Sequence, residues 1–207
     1  FFLHSQGRAN TSDGNGRLNR NEPRGESPDI FVYNPHLPVP TTGGRAIPQG
    51  GVVAGPINQF HIEKRNDVLC YTTPELEEDT EVTGPLELHL FAATSARDTD
   101  FTATLIDVYP DGRAYNMADG IIRARYRKSI FEPEMVTPGE VNEYTINMGN
   151  TSHLFRKGHC IRIDISSSNF PACDRNMNTG NPPGMDTQGI PAMQTIYHQQ
   201  GYASYID

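Results

Sequence analysis

Apolar and polar residues alternate along most of the chain after residue 60. Leu86, Leu88, Leu90 and Ala92 share one face of a run whose other face carries Glu87, His89 and Phe91. A period of two is the spacing of a strand, because successive side chains leave opposite sides of the pleat. The same reading predicts strands over 67–71, 101–108, 144–148 and 194–197. At 161–165, Ile161, Ile163 and Ile165 are expected to face a core while Arg162 and Asp164 point away. Ile122, Ala124 and Tyr126 alternate with Arg123, Arg125 and Arg127, which predicts a strand with three arginines on one face. Tyr109-Pro110-Asp111-Gly112 and Thr137-Pro138-Gly139-Glu140 are turns, since Pro presets φ and Gly accepts positive φ. Residues 112–117 should pair back on 101–108 as a hairpin. With a short strand at 1–3, the count comes to about eight strands separated by regular turns, the signature of an all-β sandwich. No stretch carries helix-spaced apolar residues over three turns, and there is no repeat or low-complexity tract.

Residues 1–60 behave differently. Past 1–3 they show little periodicity and many breakers, among them Asn34-Pro35, Pro38, Pro40 and Gly43-Gly44. A segment this long without elements is uncommon inside a compact domain. It is expected to be an extended segment that wraps another surface.

Composition narrows the classes. The 207 residues hold 17 Lys and Arg against 25 Asp and Glu, a net charge of −8 that argues against nucleic acid and anionic membranes. No apolar run is long enough for a membrane span. The chain starts Phe1-Phe2-Leu3-His4, which has neither a Met nor the features of a secretory signal, so it reads as a fragment of a longer protein. The three cysteines, Cys70, Cys160 and Cys173, are an odd number with no zinc-like spacing. Cys70 and Cys160 lie in apolar patterns and are expected as buried free thiols.

Candidate chemistry is sparse. A nucleophile elbow needs G-x-S-x-G, because a sharp turn must expose the serine, and none is present. Ser166, Ser167 and Ser168 follow a strand and are expected to bond the turning backbone. The seven histidines form no helical metal motif, although His153 and His159 could meet across a turn. Asp98-Thr99-Asp100 offers two carboxylates, fewer oxygens than a calcium site needs. The arginines at 123, 125 and 127 could grip an anion, but salt bridges or an interface suit them better. The glycosylation-type triplets at Asn10 and Asn150 are of the kind that arises by chance. No catalytic, cofactor or metal residue is therefore assigned. One cluster reads as functional: Ser168, Asn169 and Phe170 with Asp174, Arg175 and Asn176, where an aromatic sits in a polar loop.

The run from Lys157-Gly158-His159-Cys160 through Ile165-Ser166-Ser167-Ser168-Asn169-Phe170-Pro171 to Asn178-Thr179-Gly180 resembles the end of the C-terminal β-domain of X-Pro dipeptidyl-peptidases and CocE/NonD hydrolases, including glutaryl acylases and α-amino acid ester hydrolases. Asp119-Gly120-Ile121-Ile122-Arg123 and the segment from Asp29 to Gly44 resemble the same domain. Cys160, Ala172-Cys173 and Met177 depart from residues frequent there. The resemblance implies a single domain over 1–207, a jelly-roll sandwich of the galactose-binding-domain-like kind. It implies a catalytic α/β-hydrolase domain, absent from this chain, as the partner. The segment 28–44 would run along that domain, and the candidate cluster would touch it. The role implied is to support the serine hydrolase and wall its cleft, with no activity in this fragment. Without its partner the domain is expected to self-associate or to leave these segments mobile. The alternative is a free-standing carbohydrate- or ligand-binding module, which the lack of any Trp disfavours.

Overall fold

A computed structural model describes residues 1–45 and 53–207. The chain is almost entirely β. Its strands are β1 Phe2–His4, β2 Arg17–Asn19, β3 Asp29–Tyr33, β4 Leu69–Thr72, β5 Thr80–Thr94, β6 Asp100–Val108, β7 Ala114–Arg123, β8 Asn142–Phe155, β9 Cys160–Ser166, β10 Ala192–Gln199, β11 Tyr202–Ala203 and β12 Tyr205–Ile206. They form one continuous mixed sheet ordered β11-β10-β5-β12-β1-β2-β4-β9-β6-β7, with β3 added on β10 and β8 on β5. Among the described residues β2 and β4 are the parallel pair, meeting at Arg17 and Thr72, and the other ladders are antiparallel.

The sheet closes over one large core. The inward faces of β5 (Leu86, Leu88, Leu90), β8 (Tyr144, Ile146, Met148), β6 (Phe101, Ala103, Leu105) and β9 (Ile161, Ile163, Ile165) belong to a single buried cluster. Phe101 and Tyr144 meet there with ring centroids 4.8 Å apart. The alternation in these strands predicts this burial, and the hairpin joining β6 to β7 turns at Gly112, whose φ is +84°.

Four readings of the pattern change. Among the described residues there are twelve strands, more than the alternation counts, because β2, β11 and β12 are only two or three residues long and hold too few positions for a period to show. β3 does alternate, with Asp29, Phe31 and Tyr33 buried and Ile30 and Val32 exposed, but its buried aspartate masks the signal. The strand expected over 122–127 ends at Arg123, and residues Ala124–Tyr126 form a 3-10 turn. There the Ala124 amide donates to the Thr99 carbonyl, and the Arg125 amide donates to Asp98, both of which pull the chain out of the ladder. Finally, the polar face of β9 is not in solvent: Arg162 and Asp164 are buried as well. Cys70 is a buried free thiol as expected, whereas Cys160 is only partly covered.

What buries the second face of β9 is a strap made of residues 39–45 and 53–68. Val39, Val68 and Cys70 form a small second core with Ile62 packed against it. The strap is tied down by bridges from Pro40 to Phe170, Gly44 to Gly55 and Asn58 to Tyr115. A Cβ on Gly43 would stand 2.4 Å from the Gly55 carbonyl oxygen, so only glycine fits where the two arms of the strap touch. Residues 46–52 of the extended segment lie outside the described residues.

The two ends of the chain meet. Phe2 pairs with Tyr205, and the N-terminal ammonium donates to the Ile206 carbonyl at 2.8 Å.

Candidate functional site

The loop after β9 is built from below. Ser166 Oγ lies 2.6 Å from Thr102 Oγ1 on the neighbouring strand, and Ser168 Oγ accepts from the Val39 amide at 2.8 Å. These serines face inward: Ser166, Ser167 and Ser168 are all buried. Ser166 and Ser168 do bond backbone, at the Ser168 carbonyl and the Val39 amide, whereas the buried Ser167 hydroxyl has no partner among the described residues; no histidine reaches the three there, so none is placed to act as a nucleophile.

Asn176 is the loop's second anchor. Its side-chain Nδ2 donates to Asp98 Oδ2 at 2.9 Å and Asp100 Oδ1 at 2.8 Å, while its backbone carbonyl accepts from the Tyr33 hydroxyl at 3.0 Å. The two aspartates are in turn held by arginines. Arg125 Nε donates to Asp98 at 2.8 Å, and Arg123 grips Asp100 through two nitrogens at 2.9 and 3.0 Å. Burial raises the Asp100 carboxyl above the usual range, against the pull of Arg123 and Asn176. The hydrogen bond to Asp100 in turn holds the Arg123 guanidinium above its ordinary value. Asp98 and Asp100 are thus saturated by guanidinium and amide donors. Arg127, the third arginine, donates to Asn142 Oδ1 and the Glu134 carbonyl. The three arginines are internal braces and none is free for an anion.

The six candidate residues divide. Ser168 and Asn176 are buried supports. Phe170 is 38% exposed, Asn169 half-buried, and Asp174 exposed with one oxygen 3.3 Å from Arg123. Arg175 lies over the Phe170 ring at 5.0 Å and donates to the Pro35 carbonyl at 3.0 Å. Through Pro35, Tyr33 and Val39 the loop is stitched to the segment 28–44, which also exposes Ile30, Val32 and Leu37. The two stretches form one continuous surface.

Three polar clusters escape sequence reasoning, because their partners lie far apart in the chain. Asp29 accepts from Ser5, Tyr71, the Ala9 amide and His198 in the core beside β1. The Ser5 hydroxyl bonds the aspartate and not the histidine, so this is no triad. Asp107 holds His153 at 3.0 Å and His159 at 2.8 Å, which is how those two histidines meet. Under the strap, Glu63 pairs with Arg162 at 2.7 Å, beside Asp164. Burial, with Glu63 close by, pushes the Asp164 carboxyl up to about 8 against the pull of Arg162. Among the described residues no group of three His, Cys, Asp or Glu is arranged to hold a metal ion.

An open groove of about 880 Å³ runs along β3, lined by Asn10, Asp13, Asn15, Ile30, Val32 and Arg65 among others.

Residues 1–207 match the family described as the X-Pro dipeptidyl-peptidase C-terminal non-catalytic domain. The chain is 48% identical over 180 residues to a cocaine esterase of Rhodococcus sp. (strain MB1 Bresler), a match covering 87% of this chain and 31% of that protein. An α-amino acid ester hydrolase structure superposes with a TM-score of 0.85 at 27% identity, covering 99% of this chain and 35% of that one. An aminopeptidase from a marine sediment Thaumarchaeota archaeon superposes at 0.84 with 29% identity, again over 35% of its length. The chain therefore spans about a third of each of these three relatives. With its whole length matched, an all-β build and the serines after β9 buried, the chain belongs to the X-Pro dipeptidyl-peptidase C-terminal non-catalytic domain family.

Proposed function

We propose that the domain supports an α/β-hydrolase domain of the same parent protein and walls one side of its active-site cleft. The parent would cleave an ester, amide or X-Pro peptide bond through an acyl-enzyme, with serine, histidine and aspartate on the partner domain. The observation that carries this is the match of 87–99% of the chain to 31–35% of larger hydrolases, together with the burial of Ser166, Ser167 and Ser168. A jelly-roll arrangement of the strands suits this reading.

The contact surface proposed is the pair of stitched stretches, 28–44 and 166–180. Asn169, Phe170, Asp174 and Arg175 would touch the partner, and Ser168 and Asn176 would hold the loop in shape beneath them. Aromatic residues and arginine, the two types that meet at Phe170 and Arg175, are enriched in interface cores. The test is hydrogen exchange on the chain alone and on the full parent protein. Slower exchange at both stretches in the parent supports the reading. Equal protection in both proteins rejects it.

A second reading, a free ligand-binding module, rests on the groove along β3, whose amide and carboxylate lining suits sugar hydroxyls. A glycan array probed with the chain tests it; no bound glycan sets it aside.

A further inference from the structure

The face of the sheet covered by the strap carries an unusual row. Cys70 on β4 stands opposite Asp164 on β9, Asp164 opposite Thr104 on β6, and Thr104 opposite Asp119 on β7. Adjacent strands lie about 4.8 Å apart, so the two aspartates flank Thr104 with their Cα atoms roughly 10 Å apart. All three line one small cavity under the strap, walled by Thr42, Gly43 and Gln59 and holding about 40 Å³. That is room for an ion with one or two waters.

Two further observations make the cavity more than an acidic cluster. Asp164, only 6% exposed, lines the space, and its Oδ1 has no hydrogen-bond partner among the described residues; Asp119 lines it too, and its buried Oδ1 has no hydrogen bond either, the Arg45 Nε being 3.8 Å away. Charge is also unmatched whenever Asp164 is ionised. The carboxylates of Glu63, Asp164 and Asp119 face two guanidiniums, Arg162 on Glu63 at 2.7 Å and the mostly exposed Arg45, 3.8 Å from Asp119. A buried surplus of negative charge is costly unless something balances it. The contrast with Asp98 and Asp100 is direct, since those carboxylates are each paired with an arginine and bridged by Asn176.

We propose that this cavity is a site for one hard cation of the calcium type, held between the Asp164 and Asp119 carboxylates over the Thr104 hydroxyl, with the strap as its cover. Every named donor is an oxygen, the ligand chemistry of calcium rather than of zinc or copper. Carbonyls and water would complete the six or more ligands such an ion takes. Magnesium suits the space less well, because it keeps a larger share of its rigid water shell. The ion would join β7 and β9 to the strap, and so stiffen the segment that carries Val39 and, through it, the Phe170 loop.

The test is calorimetric titration of the EDTA-treated 207-residue chain with CaCl2, and separately with MgCl2, alongside hydrogen exchange over residues 53–68. One calcium per chain is expected, with slowed exchange in the strap and weaker binding of magnesium. Asp164→Asn, which keeps the shape and removes the charge, should abolish binding. Asp119→Asn, at the more open end, should weaken it by at least about tenfold, as fewer charged ligands do, and it decides the matter if Asp164→Asn fails to fold. The counter-charge could instead be a proton on Asp164. In that case calcium binds nowhere, and the proposal falls. It falls equally if both variants bind calcium as the wild type does.

Discussion

Asp29 Oδ2 lies 2.9 Å from Nε2 of His198, and both side chains are fully buried although 169 residues separate them. The pair fastens β3 to the end of β10, with Ser5 and Tyr71 donating to the same carboxylate. Burial works to raise the Asp29 carboxyl, but the bonds from His198, the Ala9 amide, Ser5 and Tyr71 prevail and hold it below the usual carboxylate range.

That direction sets an acid limit. A carboxyl lowered by folding contributes stability above its unfolded value, about 3.9, and loses it as pH falls through the lower folded value. Asp29→Asn should cost about 3–5 kcal/mol at pH 7, as breaking a buried pair does. It should also flatten the fall in stability below about pH 4. Urea unfolding from pH 2 to pH 7 on both proteins checks this; identical acid slopes would contradict it.

Ile163 sits in the main core with no exposed surface. Ile163→Ala should lower stability by about 2–5 kcal/mol. A change under about 0.5 kcal/mol in urea unfolding, the range of inert surface changes, would show that β9 is misplaced.

Asn176→Ala removes both amide bonds to Asp98 and Asp100. A loss of about 1–3 kcal/mol is expected, with faster hydrogen exchange confined to residues 174–181. Unchanged exchange in that loop would mean that Asn176 is not its anchor.

The isolated chain should not turn over p-nitrophenyl acetate or an X-Pro-nitroanilide, since Ser166, Ser167 and Ser168 are buried. Turnover above a heat-killed control, lost on changing any of these serines to alanine, would overturn the assignment of a non-catalytic domain.

How much was legible depended on the length of each element. β5, β6 and β8 announce themselves because nine or more residues give the alternation room to repeat. β1 falls where a short strand was expected, whereas β11 and β12 are too short for any pattern. The arginine run misleads because a 3-10 turn follows β7 without breaking the apolar–polar rhythm; the deviation is caused by Asp98 and Thr99, some 25 residues upstream. On β9 the pattern correctly separates isoleucines from polar residues. It carries no sign that Glu63 and Thr72 wait on the far side to bond Arg162. The candidate loop was visible as polar and aromatic, but which residues support it and which face outward is settled by contacts with the segment 28–44.

The pairing of Phe2 with Tyr205 determines how the domain bears a mechanical load. β1 and β12 run antiparallel, so the first residue of one lies beside the last residue of the other. A pull applied between the two ends opens this ladder one bond at a time, as a zipper does, instead of shearing many bonds together. The strong ladders, β5 with β8 and β6 with β9, stand outside the line of force. A pull between the two ends of this chain thus parts the sheet at the seam of β12 and β1, in the middle of the strand order, before it loads the long ladders on either side.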